Sequence, residues 1–296
     1  MKESCELGLP YCSSLSTACL YGFPLRSVFS LAAKAGFEGL ELAMAPQVWL
    51  RGARYVRSLC REYGLSVYSV HQTLMPISPR GRGAGRILDA MYMAMELGCP
   101  TVVIHSPGAA RWADPIAQDW LRKVEFCHNL AKGSVSRLAL ENPGWYRDAD
   151  KHNFLGHLSA LKKVARRSDL DITLDTCHLG TAGMDLLEAY ALVRDRVVNV
   201  HFSDLKYSPV PISSNHLFHT LFSRHQMPGE GQLPLAELVS SLVEDDFRGP
   251  ITIEVGFIAL RAWSPRLLRH RLSQTVDYVH AASRSSVARR DPASTM

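Results

Sequence analysis

Asp175 and His178, in the stretch DITLDTCHLG at 171–180, follow directly on a short run of alternating apolar residues. Either the run ends in an incidental polar turn, or it delivers an acid and an imidazole to a common point. The same ending recurs along the chain. SVYSVH ends in His71, TVVIHS reaches His105, SRLALEN reaches Glu141, VVNVHFSD carries His201 and Asp204, and PITIEV reaches Glu254. One histidine at the end of a strand is more often a structural residue than a ligand. Six successive strands, each delivering His, Asp or Glu at one height, are a different matter. Burying so many ionisable groups around one point is prohibitive unless a positive charge compensates them. A divalent cation supplies that charge. Carboxylates mixed with imidazoles suit Mn, Mg, Co, Fe or Zn, and the mixture of N and O donors favours a transition ion over calcium. Cys177, between Asp175 and His178, is expected to face away from such a site.

The elements that must position these groups alternate regularly. Period-two apolar runs predict strands at 5–10, 39–44, 66–71, 101–106, 136–142, 171–176, 197–204 and 250–255. Helix-like stretches lie between them at 24–35, 49–63, 86–98, 113–132, 152–167, 184–195 and 233–245, with 264–284 after the last strand. Pro24, Pro115 and Pro265 stand near helix starts, and Gly36, Gly64 and Gly98 where helices should end. Eight such units without a Pro/Gly/Ser-rich linker predict an α/β chain forming a single (β/α)8 TIM barrel over 1–285, followed by a disordered tail over 286–296. In that architecture chemistry gathers at the C-terminal ends of strands with apolar interiors. A doubly wound open sheet would show a Gly-rich turn after its first strand. The GRGAG segment at 81–85 follows a different strand and reads as a flexible loop. The longest irregular stretch, 205–232, has the length of a functional loop.

Composition sets wider bounds. The chain has 296 residues, 47% apolar and 21% charged, and contains no apolar run long enough to span a membrane. Its start, MKESCELGLPYC, carries Glu3 and Glu6 where an export signal needs uninterrupted apolar residues. Seven cysteines without a CxxC pair argue against a disulfide framework and a thiolate zinc knot, and for a cytoplasmic location. The net charge of +5 is scattered except for basic residues near the C-terminus, which read as a solvated helix face and tail.

Taken in order, GFEGLEL at 36–42, VIH at 103–105, LEN at 140–142, DTCH at 175–178, HFSDLK at 201–206, GEG at 229–231 and TIEV at 252–255 resemble the xylose isomerase-like TIM barrels. That superfamily includes sugar-phosphate isomerases and epimerases, and the endonuclease IV-type AP endonucleases. The resemblance spans about residues 5–280. Its isomerase and epimerase branch implies one divalent metal held by Glu141, Asp175, His201 and Glu254. His178 would contact the substrate, and Glu141 and Glu254 would form the acid–base pair on opposite faces of a bound ketose. Proton transfer next to a carbonyl through an enediolate fits such a set. The endonuclease branch implies a three-zinc cluster, whose pattern is matched by His71, His105, Glu141, Asp175, His178, His201, His225 and Glu254. It departs at Ser223, where that branch has Asp, which leaves open a dinuclear site on His71, His105, Glu141, Asp175, His201 and Glu254.

Three readings therefore stand: a metal-dependent sugar or sugar-phosphate isomerase or epimerase, a phosphodiesterase acting at abasic DNA sites, and a barrel that binds without turnover. The first expects a sugar or polyol as partner, with Trp145 of ENPGW against a sugar face and His71 and His105 as further substrate contacts or ligands. DNA is disfavoured because QTLMPISPRGRG after His71 lacks an aromatic for the abasic gap and offers only Arg80, Arg82 and Arg86 nearby. Assembly into a homo-oligomer stays open.

Overall fold

The computed structural model describes residues 11–82, 85–208 and 216–290. Eight parallel strands close into a barrel: β1 (Cys12–Ser16), β2 (Gly39–Ala43), β3 (Ser66–His71), β4 (Thr101–Ile104), β5 (Arg137–Glu141), β6 (Asp171–Asp175), β7 (Val197–Phe202) and β8 (Pro250–Ile253). Each strand pairs with its sequence neighbours, and β1 closes the ring on β8 with Cys12 opposite Pro250. Helices α1 (Leu25–Ala35), α2 (Pro46–Tyr63), α3 (Gly85–Leu97), α4 (Pro115–Leu130) and α5 (Leu158–Arg167) follow the first five strands. After β6 come α6 (Thr176–Thr181) and α7 (Leu186–Val193), after β7 come α8 (His216–Phe222) and α9 (Leu235–Glu244), and α10 (Pro265–Arg290) ends the described chain. The single (β/α)8 TIM barrel is therefore correct. Among the described residues no helix is long and apolar enough to cross a membrane, and the described cysteines are all free thiols.

Strand alternation sorts the side chains. Leu40, Leu42, Val70, Val102, Ile104, Leu138, Leu140, Ile172 and Leu174 join the apolar layer packed against the helices. The residues between them are mostly polar and equally buried, among them Ser14, Ser16, Glu41, Ser69, Thr173, Asn199 and Thr252. The lumen is thus a hydrogen-bonded polar network, not the apolar interior expected. Glu41 takes bonds from Ser16 Oγ at 3.1 Å, Ser69 Oγ at 2.8 Å and Asn199 Nδ2 at 3.2 Å, and Thr252 Oγ1 donates to Asn199 Oδ1 at 2.8 Å. The buried Glu41 carboxylate is tolerated in this way because it finds several donors.

Other differences from the expected elements have local causes. The first barrel strand is Cys12–Ser16, between the expected strand at 5–10 and the expected helix at 24–35, and residues 5–10 lie outside the described residues. Gly81–Arg82 of GRGAG pairs antiparallel with Ile77–Ser78, so that part is a small hairpin. Helix α10 runs on through Arg290, five residues past the expected boundary, and Ser286 within it is buried. That turn still has barrel to pack against, since Tyr11 bonds Ser283 Oγ at 2.6 Å. Residues 291–296 lie outside the description.

The long connection after β7 is organised by Asp204. Its buried carboxylate accepts from the amides of Gly229 at 3.0 Å, Gly231 at 2.9 Å and Leu233 at 3.0 Å, and its backbone pairs with Gln226. A Cβ at Gly231 would run into that carboxylate and the Leu205 carbonyl, which is why the GEG segment needs glycine there. Asp204 is therefore a structural anchor, not a ligand. Asp204→Asn should turn an NH₂ toward amide donors and cost about 2–4 kcal/mol. A thermal melt should then show a midpoint about 5–10 °C lower; an unchanged midpoint would remove the anchor.

Candidate active site

At the C-terminal mouth of the barrel, His201 is fully buried among carboxylates. Its Nδ1 lies 2.8 Å from Glu254 Oε2, 3.2 Å from Glu141 Oε1 and 3.8 Å from Asp175 Oδ2. Its Nε2 lies 2.9 Å from Glu41 Oε2 in the lumen below. Glu41 as acceptor fixes a proton on Nε2, so that Nδ1 is the nitrogen turned to the three acids: protonated it is their counter-ion, and deprotonated it would be free to ligate a cation among them. Glu41 was not singled out from the sequence. The available signal was a glutamate at an inward position of GLELAM, whose neighbours Leu40 and Leu42 face the helices.

Strand ends position the ring. Glu141 closes β5, Asp175 closes β6, and Glu254 follows β8 with its amide on Phe202 O. Asp175 also caps α6, accepting from His178 N at 2.7 Å, and this cap brings His178 back over the site. His178 Nδ1 stands 2.8 Å from Asn142 O and 3.4 Å from Glu141 Oε1, and its Nε2 3.7 Å from Asp175 Oδ2. On the other flank, His105 Nε2 is 2.9 Å from Glu141 Oε2 and 3.1 Å from His71 Nε2. His225 adopts a positive φ of 47° and brings its ring to 5.5 Å from that of His178. The candidate residues His71, His105, Glu141, Asp175, His178, His201, His225 and Glu254 thus meet in one place.

The electrostatics mark a missing positive charge. Burial and the charges of Glu141 and Glu254 push the Asp175 carboxyl up to about 7, against the attraction of His225 and His201. Burial would raise Glu254 as well, but His201 brings it down to about 2. For His71 burial works the other way, and the bond to Glu141 with the surrounding acids raises it to about 9. Buried Asp175 Oδ2 has no hydrogen-bond partner, and Glu141 Oε2 is faced by the imidazoles of His105 and His71. One donor atom each from Glu141, Asp175, His201 and Glu254 lies within 4.8 Å of the others. Ligands about 2.0–2.2 Å from a shared ion stand at such spacings. The set fits a divalent metal. His71 with Glu141 and His201, and Asp175 with His178 and His225, form two adjoining groups of the same kind.

One expected contributor lies elsewhere. The Trp145 amide bonds Thr181 Oγ1, and its ring packs edge-on against His157 at 6.2 Å, away from the cavity lining. The ring that reaches the cavity from that loop is Tyr146, held by the Arg224 guanidinium 4.0 Å above it and standing 5.5 Å from His178. Ser223 is buried with its Oγ donating to Lys206 O at 2.7 Å, and as a serine it adds no second carboxylate to the group of Asp175, His178 and His225. Cys177 is buried, as expected, with its Sγ accepting from His225 N. A cavity of about 640 Å³ opens above these residues.

Residues 29–269 match the family described as xylose isomerase-like TIM barrel. An uncharacterized protein of Mycobacterium leprae is 28% identical over 275 residues, 85% of this chain and 91% of the relative. A 3-dehydroshikimate dehydratase of Pseudomonas aeruginosa is 24% identical over 94% of this chain and 43% of its own length. Among solved structures, a D-tagatose 3-epimerase-like protein superposes with a TM-score of 0.69 at 19% identity, covering 93% of this chain and 99% of the other.

Because Glu41 orients His201, Glu41→Gln should weaken Mn²⁺ or Zn²⁺ binding about 10–100-fold by calorimetry. Unaltered affinity with native circular dichroism would show that the imidazole needs no such support.

Proposed function

The chain belongs to the xylose isomerase-like TIM-barrel family, and from that premise we propose that it is a metal-dependent isomerase or epimerase of a sugar or polyol. The observation that carries the reading is the set of three carboxylates and one imidazole within 4.8 Å at the floor of the cavity. Glu141, Asp175, Glu254 and His201 Nδ1 would hold the ion. Bound there, a divalent cation supplies positive charge for an oxygen that becomes negative as a neighbouring C–H bond breaks. Glu141 and Glu254 both line the cavity. One removes the proton beside the carbonyl and leaves an enediolate; the other returns a proton to the opposite face. His178, held by Asn142 O, and Tyr146 orient the substrate from the same side. Burial alone would raise the pKa of Glu141, but His105, His201 and His178 hold it well below the usual carboxylate range and keep it ionised. The names of the relatives fit this chemistry, since epimerisation next to a carbonyl and dehydration beside one can both begin with removal of that proton.

A phosphodiesterase reading is favoured by the two adjoining His-rich groups. Against it stand Ser223, which supplies no carboxylate, and the state of the nearby arginines. Arg80 is engaged by Asp89 at 2.6 Å and Tyr92 at 4.3 Å, and Arg86 NH1 reaches Thr73 O. Phosphate backbones need free, clustered cations.

Ketoses and inososes incubated with the metal-loaded protein in deuterated water should acquire label at the carbon beside the carbonyl. Glu254→Gln should lower that exchange about 10²–10⁴-fold, and a chelator should stop it. One ion per chain is expected by metal analysis, with an abasic oligonucleotide left intact. Incision of that oligonucleotide, with two or three ions bound, would replace this function by phosphoester cleavage.

A further inference from the structure

The cavity is larger and more apolar than a bare sugar requires, and this bears on the substrate class under the function just proposed. Its floor is the acid and imidazole ring, but its upper walls come from four different loops. Tyr21 follows β1, Leu74 follows β3, Leu221 belongs to α8, and Phe257 and Ile258 follow β8. Leu74 and Phe257 are 48% and 45% exposed, although each lies where burial would be favourable. The Phe257 ring is braced by Phe23 and Trp263, each with a centroid 6.4 Å away. It is therefore held in place and not free to fold back onto the surface.

The charges of the lining are equally one-sided. Besides its histidines, the charged residues among the described lining are Glu141, Glu254 and Asp150, and none is Lys or Arg. Phosphate and carboxylate groups are recognised by guanidinium forks, ammonium groups or open amide nests. Asp150 offers the opposite, and its Oδ2 already accepts the amides of Tyr146 and Arg147. One divalent ion against the three carboxylates of Glu141, Asp175 and Glu254 leaves that set net negative, so the ion itself brings no surplus for a substrate anion, and the imidazoles of the lining stand against those acids. A free hexose would leave the upper walls wet, and a sugar phosphate would place its charge among acids and hydrocarbon.

We infer that the substrate is an uncharged sugar or polyol carrying an apolar substituent, with the polar ring on the acid and imidazole floor and the substituent between Leu74, Leu221 and Phe257. The volume of 640 Å³ is that of a cleft for a ligand of drug-like size, within the range of about 300–1,000 Å³. Metal-loaded full-length protein should be titrated by calorimetry with D-fructose and D-tagatose, their O1 and O6 benzyl ethers, and the corresponding 1- and 6-phosphates. At least one benzyl ether should bind about tenfold or more tightly than its parent sugar, equivalent to about 1.4 kcal/mol, and no phosphate should gain. Phe257→Ser should bring that ratio toward one, while Phe257→Leu, which keeps an apolar side chain, retains most of it. A phosphate binding tenfold tighter than its parent, no gain for any ether, or a gain that survives Phe257→Ser would each overturn the inference. The same ketoses report the reaction separately. A benzyl ether that binds with the expected gain yet takes no deuterium speaks against the proposed function and leaves the apolar subsite standing.

Discussion

Mutual repulsion among buried carboxylates is the constraint on which this structure turns. Glu141, Asp175 and Glu254 are brought around one imidazole nitrogen at the barrel mouth, and Glu41 lies beneath its other nitrogen. In a medium that screens poorly, such a cluster is unfavourable unless countercharge is shared among all of them. His201 supplies part of it: despite complete burial, its pKa is held well above the usual value by Glu41, Glu254 and Glu141. The remainder is visible in Asp175, whose outer oxygen has no partner. A closed barrel can tolerate this because its strands are tied to neighbours on both sides and cannot splay to relieve the repulsion.

The polar lumen follows from the same constraint. Holding the imidazole with Nδ1 toward the acids needs a fixed acceptor at Nε2, and a carboxylate buried that deeply needs donors of its own. Ser16, Ser69 and Asn199 provide them from three strands, and Thr252 ties Asn199 in turn. The network therefore runs from the middle of the barrel to the mouth. The apolar packing that stabilises the fold is displaced outward, to the layer between strands and helices. Stability and chemistry occupy the two faces of the same strands.

Loops complete the surroundings of the site. Asp204 gathers the amides after α8 into a fixed turn beside the site. Arg224 and Tyr146 stack across two loops and hold an aromatic edge against His178. Above them the lining turns apolar, so the cavity changes character from floor to rim within one opening.

The fold and the floor of the site were legible in the sequence because both depend on short-range patterns. Period-two runs, helix-ending glycines and the residue type after each run report which side chains reach the barrel mouth; position nominated His71, His105, Glu141, Asp175, His178, His201, Asp204 and Glu254 alike, and only the family resemblance singled out Glu141, Asp175, His201 and Glu254. Glu41 could not, since its role depends on a partner 160 residues away and its strand reads locally as any other. Trp145 and Tyr146 are neighbours, and which ring faces the cavity goes with contacts distant in the chain, Thr181 on the Trp145 amide and Arg224 on the Tyr146 ring. The start of the first strand and the extent of α10 were likewise settled by pairing and packing partners distant in the chain. Local alternation and propensity are written in neighbouring residues; orientation within a site is decided by contacts that exist only once the ring has closed.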